Sequence, residues 1–271
     1  MTASGDSHEV LASFNYLKWQ DIYTTVKPYM TVPASISPAD KPATNIIFER
    51  GPHQKVRDVR GSECDFNLTD NGFVYNKWQS CMTPADFTNP EKIEKVLLPE
   101  FEELIRKEIE GAGQIFFFDW RVRRSDAKED GKIEGGTKGG RLQAAANFVH
   151  VDYSDNSAVK RAKASLLPGQ DESPLRGRFQ IINVWRPIDG PVEDCPLAVC
   201  DWASVDTSKL IKFDTIRETY TGEYMLALYD PALSWCYMSH QTDDEVLLFK
   251  SYDSKEGVAK SQYTPPAKPG G

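Results

Sequence analysis

The chain reads as a mainly β fold with flanking helices, a β-sandwich or jelly-roll barrel, on three observations. Short apolar runs recur between turn signals at roughly even spacing from Phe179 to Tyr252. Helical patterns are few and lie before most of those runs, an order that suits a layered β architecture with helices on one side. No internal repeat and no linker divides the 271 residues, so the expected organisation is a single jelly-roll domain over 1–271, with an N-terminal extended arm over about 1–50.

Composition bounds the function. Hydrophobic residues make up 40% and charged residues 27% of the chain, the balance of an ordinary globular protein. Net charge is -8 and the pI near 5.2. That excludes phosphate-backbone binding as the main activity, so no nucleic-acid partner is expected. No apolar run approaches the roughly 20 residues needed to span a bilayer. Met1–Val10 is polar and acidic, unlike a signal peptide. These features point to a cytoplasmic protein with no membrane partner, a homodimer being allowed. The five cysteines, Cys64, Cys81, Cys195, Cys200 and Cys236, form no Cys-x-x-Cys pair and read as free thiols, mostly buried.

The elements follow in order. The Pro-rich stretch Val32–Pro42 reads as an extended surface arm. Val56–Gly61 alternates and ends in Gly, a strand then a turn; Asp70-Asn71-Gly72 is a turn before the strand Phe73–Tyr75. Asn89-Pro90 opens a helix, Asn as cap and Pro at the first helical position. Pro99 splits it, and the second piece runs from about Pro99 to Glu110, with Phe101, Leu104, Ile105 and Ile109 on one buried stripe. Gln114–Trp120 is nearly all apolar and reads as a buried strand. Ser125–Arg141, rich in Gly and charge, lacks the Gly-Lys-Ser/Thr ending of a phosphate loop and reads as a surface loop or a lid. Ser154 caps a helix from about Asn156 to Leu166. Phe179–Pro187, Leu197–Trp202, Glu223–Tyr229, Trp235–Met238 and Glu245–Tyr252 are the further strands.

The chemistry centres on Asn147-Phe148-Val149-His150-Val151-Asp152-Tyr153. Residues i and i+2 of a strand share a face, so His150 and Asp152 project together. An imidazole beside a carboxylate is two thirds of the two-His-one-carboxylate triad that holds non-haem Fe(II). A lone His-x-Asp pair is more often a hydrogen-bonded surface pair, so its surroundings decide its meaning. Of the other histidines, His8 lies in the N-terminal segment, His53 in a Gly-Pro turn and His240 after a strand.

Asp58-Val59-Arg60-Gly61, the apolar run to Asp119 with its arginines, Val149–Asp152, Ile182–Pro187, Gly190–Asp194 with Pro196–Ala198, and Asp244–Lys250 through Tyr252-Asp253-Ser254 carry a resemblance. In this order they resemble the fungal AsaB-type hydroxylase/desaturase family, which is related to the bacterial cephem 7α-methoxylase component. The resemblance covers roughly residues 10–260. It implies a double-stranded β-helix (jelly-roll, cupin-like) barrel and a non-haem Fe(II)/2-oxoglutarate oxygenase of fungal specialised metabolism. It implies Fe(II) and 2-oxoglutarate as cofactors, with His150 and Asp152 as metal ligands. The chain departs from the family pattern at Tyr263-Thr264-Pro265-Pro266, where Pro266 stands in place of the family's second histidine. The family's basic residue lies beyond this segment, in a terminal strand that the sequence lacks. His240, a second carboxylate or water would complete the metal shell, and Lys250 is the candidate cofactor-binding cation.

A second function class remains open at this point. On the same fold without iron, His150 and Asp152 form an acid/base pair for a redox-neutral isomerisation, dehydration, cyclisation or pericyclic step. Arg161, Arg186 or Lys250 would then polarise a substrate carbonyl, although the plainer reading of Arg186 is a buried ion pair. A non-catalytic small-molecule binder is the third class. In each, the partner is a small molecule: a polyketide, a terpenoid or an amino-acid-derived compound.

Overall fold

The computed structural model describes residues 9–31, 43–123, 142–143, 147–166, 172–218, 220–261 and 263. His8, the expected arm Val32–Pro42, the expected lid Ser125–Arg141 and the Thr264–Pro266 segment lie outside these. The strands are β1 (Glu9–Ala12), β2 (Asn15–Leu17), β3 (Tyr29–Thr31), β4 (Phe48–Arg50), β5 (Gln54–Asp58), β6 (Phe73–Lys77), β7 (Val122–Arg123), β8 (Leu142–Gln143), β9 (His150–Val151), β10 (Gln180–Trp185), β11 (Val199–Cys200), β12 (Leu210–Ile216), β13 (Thr221–Ala227), β14 (Trp235–Tyr237) and β15 (Glu245–Asp253). The α-helices are α1 (Pro90–Lys92), α2 (Leu98–Glu108) and α3 (Asp155–Ser165).

Three sheets carry the architecture, in the orders β1-β5-β14-β11, β10-β15-β6 and β3-β12-β13-β9. Residues 9–31 and 43–50 are therefore more than an arm over the surface. Their strands β1 and β3 pair with β5 and β12 inside the main sheets, and β2 pairs with β4.

All nine residues of β15 are buried, and the strand pairs antiparallel with β10 and β6. Its side chains alternate between two cores, as a strand covered on both faces must. Val246 and Leu248 pack on the helical side with Phe101, Leu104 and Ile105 of α2. Leu247 and Phe249 pack on the other side with Val59, Phe73, Tyr75, Cys236 and Met238. A third core joins Val149 and Val151, which flank His150, to Ala227, Trp235 and Tyr237.

Local chemistry explains most boundaries. Asn89 caps α1 by accepting from the Glu91 and Lys92 amides. Pro99 does not break the helical path, because Ile93–Leu97 form a π-turn and Pro99 falls in the first turn of α2, where no backbone donor is needed. Gly61 and Gly72 take φ of 81° and 82°, the left-handed turn conformations that glycine adopts without penalty.

Two further expectations are corrected. Gln114–Trp120 is not a strand: it runs irregularly over the sheet, with Ile115, Phe117 and Trp120 against the α2 core, Phe118 in a separate cluster and Phe116 exposed. A continuous apolar run signals burial partners, not backbone pairing. The cysteines are free but mostly not buried. Cys200 and Cys236 are buried on β11 and β14, whereas Cys64, in a 3-10 turn, and Cys81, in a loop, are exposed and Cys195 is half-buried. The seven-residue strand β12 has no counterpart in the sequence reading; Lys212 and Asp214 interrupt its apolar pattern.

One charge pair fastens β15 at its start. Arg60 donates from both guanidinium termini to the buried Glu245 carboxylate at 2.9 Å, and Lys77 adds a contact at 3.0 Å. The Arg60 hydrogen bonds hold the Glu245 carboxyl down at about 2, against the opposing effect of burial. A carboxyl depressed in the folded state stabilises the fold above its unfolded pKa, and that contribution disappears as pH falls through the folded value. Unfolding free energy from urea titrations will therefore decline between about pH 4.5 and pH 2, and Glu245→Gln will flatten this part of the profile. An unchanged acid limb in Glu245→Gln would refute the assignment.

Candidate metal centre

His150 lies on β9, paired with Leu226 of β13, and Asp152 follows one residue past the strand end. The buried Val149 and Val151 anchor the segment from the opposite face. Ser154, fully buried, then caps α3 by accepting from the Ser157 amide, and its hydroxyl also meets Glu223 of β13. The turn between β9 and α3 is thus held on both sides.

The two side chains converge. His150 Nε2 lies 3.5 Å from Asp152 Oδ1. His150 Nδ1 is 3.0 Å from the Phe148 carbonyl. A carbonyl only accepts, so Nδ1 carries the proton and a neutral ring turns the Nε2 lone pair towards the carboxylate. Asp152 Oδ2 accepts from Asn183 Nδ2 and from Ser251 Oγ, each at 3.0 Å. Burial opposes ionisation of Asp152, but the hydrogen bonds from Ser251 and Asn183, and from His150 when its Nε2 is also protonated, outweigh it and hold the carboxyl well below the usual carboxylate range.

Two lone-pair atoms facing each other at 3.5 Å call for a proton or a cation. A divalent metal fits this donor set: a nitrogen with its second ring position tied to a backbone carbonyl, and an oxygen on an anchored carboxylate. Among the described residues no group of three His, Cys, Asp or Glu side chains is placed to hold a metal. They supply two of the three protein donors of a facial triad.

The remaining sequence candidates are dispersed. His240 is exposed, at φ 46°, in the turn before β15, with its carbonyl near Arg60 at 3.3 Å. That turn adjoins Glu245, whereas Ser251, which touches Asp152, lies six residues along β15, about 20 Å away at the usual strand rise. His240 is therefore not brought to His150 and Asp152. Lys250 is 1% exposed and donates to Asp253 Oδ2 at 2.7 Å and to the Ala259 carbonyl at 2.9 Å. Asp253 also accepts from Arg178. Arg186 lies over the rings of Trp78 and Phe87, both at 5.5 Å, and donates to the Pro187 carbonyl. Its environment is aromatic, and it makes no ion pair among the described residues. Arg161 on α3 is closer to the site: its guanidinium stacks over Phe118 at 5.0 Å, and Phe118 meets Tyr153 edge-on. Burial raises the Tyr153 hydroxyl, an effect that Arg161 opposes.

Asn183 and Ser251 are the site residues that the sequence reading missed. A signal existed. Asn183 is the one amide in the apolar run Ile181–Trp185, and a polar group in such a run needs partners. Arg123 and Tyr224, both within electrostatic reach of Asp152, were missed as well.

With this geometry established, similarity to known proteins places the chain. A family model described as "Oxidoreductase/YMDC permease-like domain" matches residues 14–267. The hydroxylase/desaturase CTB9 of Cercospora beticola is 31% identical over 76% of this chain and 67% of its own length. The chain belongs to the fungal AsaB-type hydroxylase/desaturase family. A further relative, the alpha-ketoglutarate-dependent dioxygenase phiK of a fungal species, is 32% identical over 76% of this chain and 72% of its own length. The solved structure of the iron and alpha-ketoglutarate-dependent endoperoxidase NvfI superposes with a TM-score of 0.78. It is 20% identical, and the match covers 97% of this chain and 91% of that one. This likeness establishes the jelly-roll fold. Despite the word permease in the family description, no helix among the described residues is long and apolar enough to cross a membrane.

The contacts of Lys250 assign it to the fold. Lys250→Met leaves the Ala259 carbonyl without this donor and Asp253 with Arg178 and the Lys255 amide. We expect a loss of about 1–3 kcal/mol in unfolding free energy, read by urea denaturation. A variant as stable as the wild type would refute this role.

Proposed function

We propose that the protein is a non-haem Fe(II)/2-oxoglutarate oxygenase that hydroxylates or desaturates a small molecule of fungal specialised metabolism. The observation that carries this reading is the convergence of His150 Nε2 and Asp152 Oδ1 at 3.5 Å, with the other polar atom of each side chain already tied to protein. The printed activities of the relatives, a hydroxylase/desaturase and an alpha-ketoglutarate-dependent dioxygenase, support it.

Iron bound at this pair, with 2-oxoglutarate, would supply the oxidising power for attack on an unactivated C–H bond. The chain's own residues do the rest. The Phe148 carbonyl keeps the Nδ1 proton and so reserves Nε2 as a donor. The Phe148 ring packs against His150, with centroids 5.2 Å apart, and limits its rotation. Phe118 and Tyr153 meet edge-on next to Asp152, with Arg161 over Phe118, and these rings would offer an apolar surface to the substrate. A polyketide, terpenoid or amino-acid-derived substrate suits such a surface. The exposure of Asp152, 31% against 15% for His150, marks the side from which it would enter.

Anaerobic titration of the purified protein with Fe(II), with and without 2-oxoglutarate, tests the reading. The expected result is a weak, saturable visible charge-transfer band that requires both components and is lost in folded His150→Ala and Asp152→Ala. Absence of the band, with no divalent metal bound, would overturn it and return attention to His150 and Asp152 as an acid/base pair.

A further inference from the structure

We propose that Asn183 and Ser251 are positioning residues that decide which oxygen of Asp152 faces the metal, and that a β-bulge at Ser251 serves to aim its hydroxyl there. This inference rests on the metal-site reading above.

The three side chains form a closed triangle. Asn183 Nδ2 donates to Asp152 Oδ2 at 3.0 Å and to Ser251 Oγ at 2.8 Å. Ser251 Oγ donates in turn to the same Oδ2 at 3.0 Å. Both amide protons and the hydroxyl proton are thereby committed, and Oδ2 has two donors while Oδ1 is left for His150 Nε2. A carboxylate turns easily about its Cβ–Cγ bond, because that torsion is broad and two-fold. Without the triangle either oxygen, or both, would face the imidazole. With it, the group presents Oδ1 alone.

The backbone is shaped for this contact. Along β10 and β15 the register runs Asn183 opposite Phe249 and Ile182 opposite Lys250, then jumps to Ile181 opposite Tyr252. Ser251 is the residue passed over. A bulge of this kind bends the strand and redirects a side chain, and bulges gather beside active sites. Ser251 is 1% exposed, so its hydroxyl needs partners inside the protein, and the bulge supplies Asp152 and Asn183. The bond also crosses between sheets, from β10 and β15 to the segment that follows β9. Placement of the carboxylate therefore depends on how the two sheets pack.

Co(II) is the probe, because its binding and its visible d–d spectrum are read without turnover. Ser251→Ala, Asn183→Ala and the double variant are titrated beside Ser251→Thr, which keeps the hydroxyl, with thermal midpoints as a control on folding. The expected result is a Kd raised about 10- to 100-fold in the double variant, a smaller rise in each single variant, a changed d–d spectrum, and Ser251→Thr close to the wild type. A purely structural role would lower the midpoint and leave the Kd and spectrum of the folded protein unchanged, and that outcome overturns the proposal. If the double variant does not fold, Ser251→Ala against Ser251→Thr makes the same comparison. Failure of the wild type itself to bind Co(II) would instead overturn the metal reading, and with it any role of the triangle towards a metal.

Discussion

The structure turns on a single ionised carboxylate. Asp152 is half-buried where β9 ends, yet its carboxyl stays charged because Asn183, Ser251 and His150 surround it. Desolvating a carboxylate is costly unless donors replace the lost water. The Asn183 and Ser251 donors come from a different sheet, so the charge is affordable only when β10, β15 and β9 are packed together. The same contacts that stabilise the ion direct one of its oxygens at His150. Stability and function are served by one set of hydrogen bonds.

The rest of the molecule keeps that junction rigid. β15 is buried along its whole length, between the α2 core on one side and the Phe73–Met238 core on the other. It is clasped at its start by Arg60 and Glu245 and at its end by Lys250, Arg178 and Asp253. Ser251 lies near the second clasp. Lys250, the cation that the sequence offered for a cofactor, is part of that second clasp.

Much of the architecture was legible in the residues. Turn signals at Gly61 and Gly72, the Asn89 and Ser154 caps and the apolar runs of β10, β14 and β15 correspond to observed elements. Each depends on local chemistry, which is why it could be read. Gln114–Trp120 was misread, and β12 not read at all, for the opposite reason. Apolar residues in the first pack against α2 and Tyr153 without pairing, and polar residues in the second sit in a strand because β3 and β13 complete its ladder. β3 lies far from β12 in sequence, and Tyr153 far from Gln114–Trp120.

The sequence alone determined the family and the His150–Asp152 pair, because both are carried by short, contiguous stretches whose spacing has direct geometric meaning. It did not determine the partners of that pair. Asn183 and Ser251 lie 31 and 99 residues from Asp152, and only the packing of two sheets, with a one-residue bulge in β15, brings them to it. Packing likewise gave His240, Lys250 and Arg186 partners of their own: Arg60, Asp253 with Ala259, and the Trp78 and Phe87 rings. Contacts across sheets depend on register and twist summed over many residues, and no local pattern encodes that sum.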